Sequence, residues 1–175
     1  MALALLEITS ISRGIVTLDA LTKRARVSIL ISEAVTPGKF LLLFAGDVAS
    51  VEESFLAGKA AAGESLIDTL FLPQAHEALL PLIRGERRDI VADSALSIQE
   101  FASVAAALRA LDKALKATHC RGHKLHIARG IGGKAYFVLG GELHDVQAAD
   151  AEGTADRLSS EIIARLSPDI SLEHV

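Results

Sequence analysis

The side chains best suited to chemistry are crowded into one short stretch, HCRGHKLH, early in the second half of the chain. It holds His119, Cys120, His123 and His126, and imidazole with thiolate at such spacing can bind zinc or another transition metal. Yet His123 and His126 lie three apart at a predicted strand entry, which turns their side chains to opposite faces. No second cysteine or carboxylate lies nearby in sequence. We therefore predict a polar loop with a buried or edge histidine, and no metal site.

Two further patterns resemble catalytic or ligand-binding motifs only in part. GIGGKA (130–135) looks like a phosphate-binding loop, but that motif needs glycine at Ala128 and a hydroxyl at Ala135. Asp112 and Lys113 could serve as an acid–base pair, although a solvated helix face is the simpler interpretation. Neither a Ser-His-Asp order, nor paired carboxylates, nor a dinucleotide fingerprint stands out. The sequence predicts that the protein is not an enzyme.

These stretches belong to a chain that carries one segment twice. PGKFLLLFAGDVASV (37–51) and GGKAYFVLGGELHDV (132–146) align at an offset of 95 and share a Gly-Lys pair, a later glycine, an acidic residue and a valine. Upstream, LEITSI (6–11) aligns with QEFASV (99–104) at an offset of 93. The difference predicts a two-residue insertion, which we place in CRGHK (120–124). A half-chain period predicts two modules of about 80–90 residues each.

Composition favours a soluble protein that associates with itself. Half of the residues are apolar and 4% are aromatic, and the mean hydropathy of +0.37 comes without an apolar span long enough for a membrane helix. The start, MALALLE, lacks the basic region of a signal peptide, and the single cysteine fits a reducing cytosol. A net charge of −4 without a basic block argues against nucleic acid as a partner. Such apolar content predicts surface buried between subunits.

The same order of elements is predicted in both halves, which indicates an α/β (α+β) fold with a mostly antiparallel sheet flanked by helices in each module. The first half is predicted as strand 2–9, helix 13–25 capped by Ser12, strands 27–35 and 39–45 joined by Thr36-Pro37-Gly38, a helix from Asp47 to Gly63, strand 66–72 and a short helix within 76–85. The second half is predicted as strand 95–101, helix 103–117, strand 124–129, turn 130–133, strand 134–140, helix 143–158 and strand 161–166.

A charged stretch, GERRD (85–89), separates the modules. We expect a first domain at 1–84, a linker at 85–93 and a second domain at 94–175. Because the second module ends soon after its last strand, we also expect it to lack a final short helix.

An ordered set of motifs resembles the bacterial microcompartment shell domain. These motifs are D-A-x-x-K in the first helix (Asp19, Ala20, Lys23), the Pro-Gly-Lys hairpin, the Gly-Asp-Val that opens the next helix, and L-P-x-x-H after the last strand (Leu72, Pro73, His76). Two such domains in tandem resemble the trimeric, pseudohexameric class of shell proteins, as in propanediol-utilising microcompartments. The likeness covers about residues 3–168. The second copy is looser, with Asp112-Lys113 in place of Asp-Ala and without L-P-x-x-H.

The resemblance implies a homotrimer whose six modules form a ring. Such trimers tile a cytoplasmic shell beside other shell proteins, hexamers and pentamers. It also implies that the hairpin loops line a central pore for small metabolites. In this chain those loops hold Thr36, Pro37, Gly38, Gly130, Ile131, Gly132 and Gly133. Glycine lets backbone N–H groups approach an opening closely, and a ring of such amides favours anionic or polar metabolites.

The resemblance further bears on cofactors and on tile edges. Relatives can carry, just before Pro-Gly-Lys, a cysteine that holds an iron–sulfur cluster; Thr36 stands there in this chain, so we predict no cofactor. Lys23 and Lys116 are the implied tile-edge contacts, with complementation of the helix dipole as the simpler role. Neither LPQAH (72–76) nor LSPDI (166–170) supplies the edge arginine common in the family, which predicts weaker or differently angled packing between tiles.

One alternative function stays open at this point. A duplicated α/β module could be a sensor that binds a small molecule or a metal through His76, His119 or His123. The ordered motifs favour the shell protein.

Overall fold

The chain folds into two four-stranded antiparallel sheets, each flanked by helices. In the computed structural model, residues 1–87, 89–90, 94–153 and 155–170 are described. The first half contains β1 (Ala2–Ile8), α1 (Ile11–Arg24), β2 (Ser28–Val35), β3 (Lys39–Gly46), α2 (Val48–Ala62), β4 (Leu66–Leu72) and α3 (Leu79–Ile83). The second half contains β5 (Ala95–Phe101), α4 (Val104–Ala117), β6 (Arg121–Ile127), β7 (Ala135–Gly141), α5 (Leu143–Glu152) and β8 (Arg157–Ile163).

The strand orders are β2-β3-β1-β4 and β6-β7-β5-β8, so the second sheet repeats the first. The central strand β1 is an almost continuous apolar run and is buried along its whole length, whereas its counterpart β5 includes Ser97, Gln99 and Glu100. Strands β3 and β4 both pair antiparallel with β1, and β2 pairs antiparallel with β3 because the hairpin between them is too short for a crossover. The predicted α+β fold class is confirmed.

Strand register places the two-residue insertion in the hairpin loop and not in CRGHK (120–124), so that prediction was wrong. Ile31 pairs with Leu43 in the first sheet and Lys124 with Val138 in the second, which keeps β2 and β6 at an offset of 93. Both strands also carry a bulge at the same place. The offset between β2 and β6 thus stays constant through CRGHK. The insertion therefore falls after the strand, and loop 129–133 is two residues longer than loop 36–38.

The cap of the first helix also differs from the prediction. Ser10, not Ser12, is the N-cap of α1, and its Oγ accepts a hydrogen bond from the backbone N of Arg13 at 3.2 Å. Ser10 has extended backbone angles where the chain leaves β1, as an N-cap requires. Ser103 caps α4 in the same way, accepting from the N of Ala106 at 3.0 Å.

Several other boundaries moved, most of them where contacts distant in sequence overrode the local pattern. Strand β6 begins at Arg121, since it pairs with β7 as far as Gly140. Helix α5 ends at Glu152 instead of 158, since Gly153 has non-helical backbone angles; Gly153 lies against Ala110, where a Cβ would come within 2.5 Å of the Ala110 Cβ. Strand β8 begins at Arg157, which pairs with the end of β5. The helix expected within 76–85 shortens to Leu79–Ile83.

The compact units differ from the sequence modules. One unit contains Met1–Ala75 together with Ala128–Gly133, and the other contains His76–Ile127 together with Lys134–Val175. The domain boundaries expected from sequence stay a prediction. Arg88 and residues 91–93 of the expected linker lie outside the described residues. Residues 171–175, where we expected no final short helix, lie outside them as well. Within the described ranges, no helix is long and apolar enough to cross a membrane.

Candidate functional site

The hairpin loop of the first module is a tight turn on the outside of its unit. The backbone N of Gly38 donates to the carbonyl of Val35 at 2.8 Å, and Gly38 has φ +114°, a value that favours glycine. Thr36, Pro37 and Gly38 are all exposed. A Cβ on Gly38 would have open space around it, so backbone conformation and not crowding explains the glycine.

The longer loop of the second module needs several left-handed residues to close. Gly130, Gly132 and Gly133 have φ +74°, +67° and +79°, and Ala128 adopts φ +52°. Gly130 and Gly132 have open space beside them and Ile131 is half-buried. The loop thus presents backbone amides with little side-chain cover.

The two loops lie against each other inside the first compact unit. A Cβ on Gly133 would stand 3.0 Å from the carbonyl O of Thr36 and 3.2 Å from Cδ of Pro37. With φ +79° and so little room for a Cβ, this approach strongly favours glycine. The structure therefore brings together predicted pore residues that are about half a chain apart in sequence.

An ion pair beside these loops was not predicted from sequence. Arg129 donates from Nε to Oε1 of Glu33 at 2.9 Å and from Nη2 to Oε2 at 3.1 Å. This paired geometry is the strong form of an arginine–carboxylate contact, and the hydrogen bonds with Glu33 raise the pKa of Arg129. The residues are 96 apart, so no local spacing could have indicated the pair.

The lysines of the repeated Gly-Lys pairs have structural partners. Lys39 Nζ lies 3.5 Å from Oε2 of Glu7, whose side chain is fully buried. Lys134 Nζ lies 2.5 Å from Oε1 of Glu100, and both of these side chains are partly exposed. Each pair ties the strand after the loop to the central strand. The repeated Gly-Lys is therefore part of the fold as well as of the loop.

Each of the predicted edge lysines forms an ion pair with an aspartate that lies one helical turn away. Lys23–Asp19 and Lys116–Asp112 both measure 2.6 Å, but the Asp19 side chain is 60% exposed and that of Asp112 only 6%. The buried Asp112 carboxylate also accepts a hydrogen bond, at Oδ1, from the backbone N of His76 at 2.7 Å. The interpretation of Asp112 as part of a solvated helix face was wrong.

The histidines and the cysteine do not form a cluster. His119 is exposed, whereas His123 is buried at the bulge in β6 against Gly140, and His126 stacks on Tyr136 with ring centroids 5.3 Å apart. Cys120 is buried, which raises the pKa of its thiol. In the part of the chain that the structure describes, no three histidine, cysteine, aspartate or glutamate side chains are grouped to hold a metal ion.

Comparison with known proteins agrees with the duplicated fold. The BMC domain family matches residues 2–75 and again residues 95–166. The chain is 42% identical over 148 residues to the bacterial microcompartment shell protein PduT of Citrobacter freundii, which covers 85% of this chain and 80% of that protein. Its fold is similar to that of a microcompartment protein of Desulfitobacterium hafniense, with a TM-score of 0.84, 33% identity and 95% of each chain covered. These relatives do not support the sensor alternative.

Proposed function

Because this chain belongs to the BMC-domain family of bacterial microcompartment shell proteins, its role is structural, and we propose that three copies form one tile of the shell. Its location is the shell of a microcompartment in the cytoplasm. Six similar modules around a three-fold axis form a closed ring through head-to-tail contacts. The observation that carries the proposal is the repeated sheet register, which makes the two halves of the chain equivalent building blocks.

The hairpin loops form the rim of a central pore in this proposal. The contact between Gly133 and Thr36 brings the loops of both modules to one place in the chain, and three chains would supply six loops. The rim residues are Thr36, Pro37, Gly38, Gly130, Ile131, Gly132 and Gly133. Exposed amides at glycine positions favour anionic or polar metabolites. Loop length alternates around the rim, so the pore is three-fold in chemistry and only approximately six-fold in shape.

The remaining assignments follow from the same assembly. Lys23 and Lys116 contact neighbouring tiles, where hexameric and pentameric shell proteins complete the shell. Each lysine is held by an aspartate one turn away, which orients its amino group for a lateral contact. With Thr36 at the rim in place of a cysteine ligand, the pore carries metabolites and no iron–sulfur cluster, and the protein has no catalytic role.

The first experiment measures mass in solution. Size-exclusion chromatography with light scattering is expected to give three times the 18.5 kDa of one chain, and electron microscopy of mixtures with hexameric shell proteins is expected to show joint sheets or closed particles. A chain that stays monomeric at every concentration contradicts the tile.

The second experiment tests the rim by charge. Gly132→Asp adds three carboxylates to a trimer at a position with open space and a backbone conformation that aspartate tolerates. In planar bilayers that contain trimers, we expect the reversal potential to shift toward cation selectivity. Gly85→Asp is the matched control, because Gly85 also has positive φ and open space but lies outside the loops. Equal reversal potentials for the two variants would remove Gly132 from the rim.

A further inference from the structure

The chain follows the same path after the last strand of each module. Beyond β4, the backbone N of Ala75 donates to the carbonyl of Met1 at 3.0 Å. Beyond β8, the backbone N of Leu166 donates to the carbonyl of Ser94 at 3.1 Å. Each bond ties the segment that leaves the sheet to the residue just before the central strand. The two segments are therefore structural counterparts, although their sequences share little.

The likeness extends through the next turn. The backbone N of Leu79 donates to the carbonyl of His76 at 3.0 Å, and that of Ile170 donates to the carbonyl of Ser167 at 3.1 Å. Turn 76–79 is thus repeated as turn 167–170. Yet Leu79 is fully buried, whereas Ile170 is 42% exposed.

Within the second compact unit, the first of these turns covers a helix and a strand. The backbone N of His76 donates to Asp112 on α4, and the following α3 packs on both α4 and β6. Leu82 of α3 lies so close to Gly122 of β6 that a Cβ there would clash with it. Turn 76–79 and α3 together bury this surface.

The corresponding surface of the first module, on α1 and β2, is open in the single chain. Ile11, Ile15 and Asp19 of α1 occupy the positions that Val104, Leu108 and Asp112 occupy on α4. Val104 and Leu108 are fully buried, but Ile11 is 44% and Ile15 57% exposed. On β2, Ile29 stands where β6 has Gly122, and it is exposed as well. The exposed apolar surface of α1 and β2 around Asp19 therefore corresponds to the covered surface of α4 and β6 around Asp112.

We propose that turn 167–170 of one chain docks on the α1 and β2 surface of a second copy. The backbone N–H of Ser167 donates to the carboxylate of Asp19, as that of His76 does to Asp112. Ile170 packs over Ile11 and Ile15 and loses its own exposure. The inference rests on the proposed trimer and identifies the contact that closes it. Because donor turn and acceptor surface lie on different parts of one chain, the contact is head-to-tail and closes into a ring.

Two single substitutions test the docking turn (167–170) and the surface that accepts it (α1 and β2) one at a time. Ile170→Asp places a charge on the turn, and Ile15→Asp places one on the surface; both side chains are exposed in the single chain, so its fold and circular dichroism should not change. At a concentration where the parent chain is trimeric by light scattering, each variant alone is expected to be monomeric. Ile170→Leu, which keeps the apolar contact, is the control and is expected to stay trimeric.

Mixing the variants gives the sharper test. The Ile170→Asp chain keeps an intact acceptor and the Ile15→Asp chain an intact donor turn. An equimolar mixture is expected to yield heterodimers of twice the chain mass, which cannot grow into a ring. If Ile170→Asp stays trimeric, or if the mixture stays monomeric, this contact is wrong while the tile stands. If the parent chain itself is monomeric, the proposed tile fails.

Discussion

The two modules build the same backbone around different cores. In the first, Gly14 of α1 lies beneath the ring of Phe40, so closely that a Cβ on the glycine would clash with it. In the second, the same two positions hold Ala107 and Ala135, both fully buried. A large and a small residue in one copy are replaced by two small ones in the other. What the modules share at this contact is backbone geometry, not the size of each side chain.

The second core fills its space elsewhere. Phe101 and Phe137 stack with ring centroids 5.6 Å apart, at positions where the first module has Ile8 and Leu42. All four side chains are fully buried. The Phe40 ring that lies against α1 in the first module is thus replaced in the second by a stacked pair of rings on β5 and β7.

The largest expected effect comes from emptying the Phe40 position. Phe40→Ala should lower the free energy of unfolding by about 3–5 kcal/mol, since it leaves a cavity over Gly14. Adding Gly14→Ala should then recover roughly 1 kcal/mol, because the methyl group occupies part of the cavity and alanine favours the helix. In the parent chain Gly14→Ala should destabilise through its clash with the ring. Urea unfolding of the four proteins measures the coupling between the two substitutions. Additive changes in the free energy of unfolding would show that the methyl group at position 14 does not fill the cavity left at position 40.

This comparison also explains which parts of the fold could be predicted. The apolar run of β1 and the turn signal at Pro37-Gly38 are local, and they predicted their elements within a residue or two. The start of β8 and the end of α5 are set by pairing with β5 and by contact with Ala110. No residue within those segments carries that information. These boundaries moved because partners distant in sequence set them, whereas the start of α1 moved to the nearby cap Ser10.

The next effect distinguishes the two ion pairs of the Gly-Lys motif. Lys39→Met removes a positive charge that lies beside the fully buried Glu7, and we expect a loss of about 3 kcal/mol, because a buried carboxylate depends on such a charge to offset its lost hydration. Lys134→Met, at the equivalent position, should cost less than about 1 kcal/mol, since Glu100 and Lys134 are partly exposed. Urea unfolding of both variants checks the ratio. Equal losses of unfolding free energy would mean that burial does not determine how much each ion pair contributes to stability.

The sequence indicated the loops of the candidate site, whose role stays a prediction, but it did not indicate the contacts that these loops make. Alignment of the repeats located the glycine loops, yet it placed the insertion in CRGHK because identity between the copies is lost there. Hydrogen-bond register located it in loop 129–133. Arg129 and Glu33 form their ion pair across 96 residues, and only folding could reveal it. The burial of Asp112 depends in the same way on His76.

The smallest effect concerns the caps of the paired helices that follow the hairpins. Asp47 caps α2 through a 2.9 Å bond from the backbone N of Ser50 to its Oδ1, whereas Glu142 makes no side-chain capping bond to α5. That hydrogen bond lowers the pKa of Asp47 below its ordinary 3.8. Its contribution to stability is therefore complete above pH 3.8 and is lost as the pH falls through the lower pKa of the folded state. Asp47→Ala should lower the Tm at pH 7, and the difference from the parent chain should shrink well below pH 3.8. Glu142→Ala should leave the Tm unchanged at both pH values, since α5 loses no cap. A pH-independent loss in Asp47→Ala would mean that the charge on the cap contributes nothing, and that the two helix starts differ only in shape.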